Sequence, residues 1–377
     1  MIKNSAGLAI GASLAGIPRL SSNKNRKSKN PLPAWKGFNL VDFFNPIAPF
    51  RKSTSKDHLK WIADWGFDFV RIPMAYPYYV KFDPKKSIKP EEVYVFDEQR
   101  VENIVRLVDQ ANDYGLHVSL NLHRAPGFCI NAGFVEPYNL WKDFEAMHAF
   151  KYHWEHWGKL FKAKNQKQIS FDLLNEPCMR ENMNDQFSKV EAVPVDLYRQ
   201  LIINGMNAIR SSNENHKIIA DGNFIGTRVI SNIKDLDVSQ SCRGYNPGLV
   251  SHYKAPWVFQ KPDDLPDVTW PSKENGQVHD KAWLEKQFQP WIDLANSGTG
   301  VHCGECGAWR KTPHQVALAW MNDMFSVLKD NNIGWALWEF DGDFGLLNSN
   351  RKDVAYEDWY GQKLDRKMLN MLLKLMK

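Results

Sequence analysis

Two glutamates in the chain directly follow short apolar runs, at positions where a buried strand would end. Glu176 comes after Leu173-Leu174-Asn175 and precedes Pro177, and Glu305 lies within Cys303-Gly304-Glu305-Cys306-Gly307. Two carboxyl groups on facing sides of a cleft can act as an acid and a nucleophile, or as an acid and a base. Cleavage of glycosidic bonds needs such a pair, one protonated and one ionised. The sequence therefore makes this hydrolysis a candidate chemistry.

Short apolar runs alternate with amphipathic segments from Trp35 to the C-terminus. In one unit the run 67–73 ends at Pro73, and a predicted helix follows that is capped by Asp97 and ended by Gly115. Similar runs begin near residues 35, 67, 117, 169, 217, 249, 300 and 334. Eight strands with crossover helices over this length predict the α/β class and a (β/α)8 TIM barrel, as a single domain.

A barrel would bring the two glutamates to the same end of the molecule. Active sites of TIM barrels lie at the C-terminal ends of the strands. Glu176 falls at the end of the fourth predicted strand, and Glu305 at the end of the seventh. A doubly wound open sheet is the alternative fold, but residues 37–41 lack the glycine-rich phosphate turn that follows its first strand.

The charge of the chain is unevenly distributed. Its 377 residues contain 48 Lys and Arg against 43 Asp and Glu, a net charge of +5. Residues 1–30 hold six basic residues and no acidic one, so residues 31–377 carry a net charge of −1. Bulk charge therefore gives no support for a nucleic-acid partner. Aromatic residues make up 13% of the chain, and this excess suggests that some of them line a binding surface.

The first 30 residues are predicted to form a signal-like segment or a disordered basic tail, and residues 31–377 a single catalytic (β/α)8 domain. Residues 6–16 form a short apolar stretch that resembles the core of an export signal but is too short to span a bilayer. We therefore expect export to the periplasm or the extracellular space. No other stretch reaches 18 uninterrupted apolar residues, so no membrane span is predicted.

Several polar and aromatic residues at the predicted strand ends form a recognisable set. In chain order they are Arg71, His123 in Asn121-Leu122-His123-Arg124-Ala125-Pro126, Asn175-Glu176-Pro177, His252-Tyr253, Glu305 and Trp338. With these residues on these strands, the chain resembles glycoside hydrolase family 5, the retaining cellulase-type (β/α)8 enzymes. The resemblance extends from Trp35 to the C-terminus.

The resemblance implies retaining hydrolysis of β-glycosidic bonds in a polysaccharide, most similar to endo-β-1,4-glucanase activity. Glu176 would be the acid/base and Glu305 the nucleophile. Arg71 would keep Glu305 ionised, and Asn175 would hydrogen-bond the 2-hydroxyl of the sugar. The resemblance implies no cofactor and no metal. The partner would be a β-linked polysaccharide or oligosaccharide, bound by a monomer.

The remaining residues of the set have expected roles in substrate binding. His123 and His252 would bind hydroxyl groups or orient the carboxylates, and Trp338 would stack on the sugar at the point of cleavage. Many relatives carry His-x-Tyr on the sixth strand, whereas His252 and Tyr253 are adjacent here and would point to opposite faces of a regular strand. Either a bulge re-aims one of them, or the usual tyrosine partner of the nucleophile is displaced.

The same residues are compatible with other functions. One is a barrel that binds carbohydrate without cleaving it, and another is a β-mannanase or exo-β-glucanase with the same mechanism. Cys303 and Cys306 have the C-x-x-C spacing of a redox pair or half a zinc site, but no cofactor motif or second ligand pair accompanies them. Five cysteines in all make a disulfide framework improbable.

Overall fold

A computed structural model describes residues 29–274 and 276–376 of the chain. The predicted tail, residues 1–30, lies outside this part except for Lys29 and Asn30, so its export signal and the division at residue 31 stay predictions. Among the described residues, no helix combines the length and apolar character that crossing a bilayer would need.

Eight parallel strands form a closed barrel, which confirms the predicted fold. They are β1 (Lys36–Asn39), β2 (Phe69–Ala75), β3 (His117–Arg124), β4 (Ile169–Asp172), β5 (Lys217–Asp221), β6 (Ser239–Gly244), β7 (Val301–Cys306) and β8 (Gly334–Leu337). Each strand pairs with its neighbours in sequence, and β8 closes on β1 through the pair Gly37 and Ala336. All eight carboxyl ends therefore meet at one mouth.

Longer helices follow most strands and cover the outside of the barrel. They are α1 (Lys56–Asp64), α2 (Glu98–Asp113), α3 (Phe144–Leu160), α4 (Val195–Arg210), α5 (Lys281–Asn296), α6 (His314–Asp330) and α7 (Arg366–Met376). Shorter turns are Asn223–Gly226 and Gly248–Ser251, and two-stranded hairpins pair Met179–Arg180 with Val190–Glu191, Ser272–Glu274 with Gln277–His279, and Glu357–Trp359 with Gln362–Leu364.

Helix α2 shows how the sequence determines one of these elements. The side chain of Asp97 accepts a hydrogen bond from the backbone N–H of Arg100, which caps the first turn. Its apolar residues recur at helical spacing and are buried, namely Val101, Ile104, Leu107, Val108 and Ala111. Gly115 follows with a φ of +76°, a conformation that glycine adopts without strain, and the chain turns into β3.

The sixth strand differs from the sequence prediction. It spans Ser239–Gly244, whereas the apolar run near residue 249 forms the turn Gly248–Ser251. Strand β6 is polar in sequence and yet buried, because its side chains find partners inside the fold. Gln240, for example, accepts a hydrogen bond from Ile230 N at 2.9 Å and donates one to Ile230 O at 2.8 Å.

The opposite end of the barrel is closed by the start of the described chain. The side chain of Asn30 donates to the backbone oxygen of Val301 at 2.8 Å and accepts from its N–H at 3.0 Å. Leu32 is buried, and Trp35 stacks on His117 with ring centroids 3.8 Å apart. The folded part of the chain therefore includes Asn30, one residue before the predicted division.

Candidate active site

A cavity of about 650 Å³ opens at the mouth of the barrel. Five of the residues expected at the site line it, namely His123, Glu176, His252, Glu305 and Trp338. They come from the ends of four strands and from the segment after β6, so the closed barrel brings together residues up to 215 positions apart in the chain. A cavity of this size falls within the range typical of ligand sites.

Glu305 lies at the end of β7 and is almost fully buried, at 4% exposure. Arg71 Nη1 donates to its Oε1 at 2.6 Å, and Tyr245 Oη donates to its Oε2 at 3.2 Å. The pairing of β7 with β6 shifts register between Cys303 and Glu305, so a bulge re-aims the end of the strand. Each carboxylate oxygen of Glu305 thus has a fixed donor.

Glu176 lies four residues after the end of β4, and its backbone is in the left-handed conformation, with a φ of +47°. Its backbone N–H donates to Asp221 Oδ2 at 2.8 Å, and its Oε1 accepts from Arg243 Nε at 2.9 Å. Burial and, to a lesser degree, the charge of Glu305 raise the pKa of Glu176 to about 8, although the charge of Arg243 opposes them. Glu176 therefore holds a proton at neutral pH.

Arg243 connects the two glutamates. Its Nη2 lies 3.4 Å from Glu305 Oε1 and donates to Asn175 Oδ1 at 2.8 Å, while its Nε donates to Glu176. The guanidinium also forms an ion pair with Asp221 at the end of β5. A fixed cation on a buried strand can thus act on both carboxyl groups at once.

Arg71 organises the other side of the same cluster. Its Nε donates to Asp172 Oδ2 at 2.7 Å, and its Nη2 donates to Asn175 Oδ1 at 2.8 Å. Burial and the neighbouring charge of Asp221 raise the pKa of Asp172 to about 7. Two guanidinium groups therefore face four carboxyl groups, and burial raises the pKa of two of these, Glu176 and Asp172.

Asn175 is held in one orientation by these two arginines. Both donate to its Oδ1, so its amide nitrogen must point the other way. Asn175 Nδ2 is buried and has no hydrogen-bond partner among the described residues. A buried donor without a partner is costly, which suggests that a ligand supplies the acceptor.

His123 and Trp338 lie side by side at the cavity. Their ring centroids are 5.6 Å apart, and Phe44 packs edge-on against both. His123 Nε2 is 3.0 Å from Asn131 Oδ1. Burial and then the charge of Arg71 lower the pKa of His123 to about 3, so the ring is neutral and can bind hydroxyl groups.

Of the two residues that were expected on the sixth strand, only His252 lines the cavity. His252 follows the turn Gly248–Ser251 and lines the cavity, with its ring centroid 4.8 Å from that of Tyr245. Burial lowers its pKa to about 4, although the charge of Glu305 opposes this. Tyr253 is buried and is not among the residues that line the cavity. The expectation that both belong to the sixth strand is wrong, because that strand ends at Gly244.

Two residues at the end of β6 were missed from the sequence, Arg243 and Tyr245. They are two positions apart, the spacing of the His-x-Tyr pattern that was sought at residues 252 and 253. Residues two apart on a strand share a face, so both side chains reach the glutamates. This spacing is present in Arg243-Gly244-Tyr245, but β6 is polar and lacks the apolar run that predicts a buried strand. Asp221 and Glu339, next to Trp338, were also overlooked.

The cysteines do not contribute to this cavity. Cys303 and Cys306 are fully buried, and neither lines it. Their thiols donate to backbone oxygens, of Glu305 at 3.4 Å and of Ala336 at 3.3 Å respectively. Within residues 29–274 and 276–376, no group of three or more His, Cys, Asp or Glu is arranged to hold a metal ion.

Comparisons with known proteins identify relatives of the whole fold. Endoglucanase C of Acetivibrio thermocellus is 24% identical over 352 residues, covering 85% of this chain and 95% of that protein. Cellodextrinase A of Ruminococcus flavefaciens is 25% identical over 305 residues, covering 79% and 83%. A solved structure described as a glycoside hydrolase superposes with a TM-score of 0.80 at 32% identity, covering 91% of this chain and 99% of that one.

The family model described as cellulase (glycosyl hydrolase family 5) matches residues 25–343. This range spans the barrel from before β1 to the segment that follows β8, and it includes every residue of the cluster around Glu176 and Glu305. The chain is a glycoside hydrolase that belongs to glycosyl hydrolase family 5.

Proposed function

We propose that the protein hydrolyses β-1,4-linked glucan with retention of anomeric configuration, using Glu176 as acid/base and Glu305 as nucleophile. The observation that carries this proposal is the asymmetry between the two glutamates. Both lie in one cavity and contact Arg243, but Glu176 is poised to hold a proton while Glu305 is paired with Arg71 at 2.6 Å. When the surroundings of two carboxyl groups give them different pKa values, the protonated group can be assigned as the acid and the ionised group as the nucleophile.

In the first step, Glu305 would attack the anomeric carbon and form a glycosyl ester as the bond to the leaving oxygen breaks. Glu176 would transfer its proton to that oxygen. Arg71 and Tyr245 hold the two oxygens of Glu305 in place before the attack. Such prior orientation removes much of the entropic cost of the step.

In the second step, Glu176 would take a proton from the water that hydrolyses the ester. Ester formation removes the charge of Glu305, which is the second cause of the raised pKa of Glu176. The pKa of Glu176 then falls, and the group that was an acid becomes a base. The water attacks the anomeric carbon from the face that the leaving group occupied, which restores the original configuration.

Substrate contacts would come from the residues that line the cavity and from Asn175, directly before Glu176 in the chain. The unpartnered Nδ2 of Asn175 would donate to the 2-hydroxyl group, an interaction that strengthens in the transition state. The half-buried Trp338 would stack on the sugar ring, and His123 and His252 would bind hydroxyl groups as neutral rings.

The choice of β-1,4-glucan rests on the relatives, which are named endoglucanases and a cellodextrinase. The near-neutral charge of residues 31–377 suits an uncharged polymer. A mannan-directed enzyme with the same mechanism is the alternative. Product analysis with a panel of β-1,4-glucans, β-1,3-glucans and mannans would identify the substrate, and a preference for mannan would contradict the assignment.

The catalytic roles can be tested with Glu176→Gln and Glu305→Gln on an aryl β-cellobioside that has an activated phenol leaving group. Loss of Glu305 should abolish turnover. Loss of Glu176 should leave an initial burst of phenol, because this leaving group needs little acid assistance, while the second step becomes slow. Glu181→Gln is the matched control, since Glu181 is exposed and does not line the cavity. NMR of the first product anomer tests retention.

Two other classes of function make opposite predictions for the same assay. A barrel that only binds carbohydrate would give no phenol release from the unaltered protein. A thiol-dependent enzyme would lose activity on Cys303→Ser and keep it in both glutamate variants. Either result would overturn the proposed mechanism.

We also propose export of the protein, since its polymeric substrate does not cross membranes and residues 6–16 resemble a signal core. Fractionation of cells that express the full chain would test this. Retention of all the protein in the cytoplasm would contradict it.

A further inference from the structure

The cavity is lined in part by an ion pair that the mechanism does not use, between Arg51 and Glu339. Arg51 lies in the segment between β1 and α1, and Glu339 directly follows Trp338 after β8. Arg51 Nη1 donates to Glu339 Oε2 at 3.4 Å. The pair joins segments 288 residues apart in the chain and spans the gap between two loops at the barrel mouth.

A second cavity of about 360 Å³ borders the first at Arg51. Arg51 and Asp343 line both cavities, so they stand between the two. The second cavity is lined largely by polar groups, among them Asp42, Asn348 and Asn350. Its volume is at the lower end of the range for ligand sites, and amide and carboxyl groups are suitable partners for sugar hydroxyls.

Glu339 is fixed on its own side. Its side chain is 2% exposed, and the backbone N–H of Phe344 hydrogen-bonds its carboxyl group. Gly342 has a φ of +138°, and a Cβ at this position would collide with the Glu339 carboxyl group. The loop therefore requires glycine there to accommodate the carboxylate.

The segment that carries Arg51 is also held in place by contacts on both sides of that residue. The preceding Phe50 ring lies 4.9 Å from the guanidinium of Arg100. Further along, Thr54 donates through its N–H and its hydroxyl to the two oxygens of Asp42, at 2.6 and 2.7 Å. The ion pair thus connects two loops, with the Glu339 side chain buried and the Arg51 side chain 40% exposed.

The order of the strands in the barrel indicates which part of a substrate lies near the Arg51–Glu339 ion pair. Glu176 protonates the leaving group, so the leaving part of the chain lies towards β4 and β5. Strands β8 and β1 are on the opposite side of the closed barrel. The sugar units on the non-reducing side of the cleaved bond therefore extend over Trp338 towards Arg51 and Glu339.

We propose that the Arg51–Glu339 ion pair limits how many sugar units bind on the non-reducing side of the cleaved bond. The protein then releases short products from the non-reducing ends of β-linked oligosaccharides, and the second cavity is a sugar site closed by the pair. This inference rests on the proposed function, because it uses the direction in which Glu176 donates its proton.

The experiment uses cellohexaose reduced at its reducing end, so that mass spectrometry distinguishes the two fragments of each cleavage. For the unaltered protein we expect mostly one or two sugar units from the non-reducing end. Arg51→Ala should raise the share of fragments of three or more units by at least about fivefold, equivalent to about 1 kcal/mol in relative binding. This ratio does not depend on the amount of active protein.

Two further variants serve as controls. Arg51→Lys keeps the charge and most of the length of the side chain, so this variant should still release short products. Arg199→Ala removes an ion pair with Asp235, of 2.6 Å, from a residue that lines neither cavity, and should leave the product lengths unchanged.

The outcomes separate this inference from the function on which it rests. Hydrolysis with the same product lengths in the unaltered protein and Arg51→Ala would overturn the role of the ion pair and leave the mechanism intact. Long non-reducing-end products from the unaltered protein would do the same. Failure of the unaltered protein to cleave either cellohexaose or the aryl β-cellobioside would overturn both.

Discussion

Arg243 contacts both glutamates, and its replacement should alter the protonation of Glu176. It carries the only guanidinium group described within hydrogen-bonding or ion-pairing distance of both Glu176 and Glu305. Most of its surroundings are carboxyl groups, and a buried arginine among them is costly unless each contact is satisfied. Its position suggests a positioning role that works through Glu176.

We predict that Arg243→Gln raises the pKa of Glu176 further, because the charge of Arg243 lowers that pKa in the intact site. The basic limb of the kcat/KM profile should then move to higher pH by about one unit, with kcat/KM lower by about 10- to 100-fold. A pH–rate profile checks this. Arg199→Gln, which breaks an ion pair outside the cavity, should leave the limb in place. An unmoved limb in Arg243→Gln would contradict the role.

Tyr245 offers a second test at this scale. Tyr245→Phe removes the hydrogen bond to Glu305 Oε2 and keeps the ring that packs on His252. Hydrogen bonds to charged groups contribute about 1.5–3 kcal/mol, so kcat/KM should fall by about 10- to 150-fold. Thermal unfolding should change little. A large fall in Tm with unaltered kcat/KM would show that the hydroxyl is structural instead.

Among the elements, β6 contributes most to the site and is the least typical in sequence. Its buried polar residues depend on partners from other segments, as Gln240 does on Ile230. Strand β6 carries Arg243 and leads into Tyr245, so it brings both side chains to the glutamates.

We predict that Gln240→Ala destabilises the fold by about 2–4 kcal/mol, since it leaves the N–H and carbonyl of Ile230 without partners and creates a cavity. Chemical denaturation measures this. Gln240 does not line the active-site cavity, so kcat/KM of the folded fraction should stay within about twofold of the original, in line with the independence of distant sites. Gln289→Ala, an exposed glutamine on α5, is the control and should change stability by less than about 0.5 kcal/mol.

At the scale of the whole molecule, the start of the described chain closes the barrel. Asn30 exchanges two hydrogen bonds with Val301 and donates another to the backbone oxygen of Asn332 at 3.0 Å. The folded unit therefore begins before β1, and its closure connects the first described residues to β7 and to the segment before β8.

We predict that removal of residues 1–28 leaves Tm and kcat/KM unchanged, whereas Asn30→Ala in the full chain lowers stability by about 1–3 kcal/mol through the lost hydrogen bonds. Thermal and chemical unfolding check both. If the truncation lowers Tm as much as Asn30→Ala does, residues before Lys29 also stabilise the barrel, and the division near residue 30 is wrong.

The sequence alone determined the barrel and the two glutamates. Periodicity is a local property, so runs such as 67–73 and the face of α2 identify strands and helices without knowledge of their neighbours. The consistent order of strands and helices then left few topologies, and the parallel barrel placed Glu176 and Glu305 at the same mouth.

The tertiary structure decided which other residues meet them. Strand β6 was hidden because a strand whose burial depends on distant polar partners has no apolar run, while the apolar run near residue 249 forms a turn. For the same reason Tyr245, and not Tyr253, reaches Glu305. The ion pair between Arg51 and Glu339 joins two segments that are 288 residues apart in the chain. Contacts of this kind depend on how the barrel closes, which local sequence patterns do not encode.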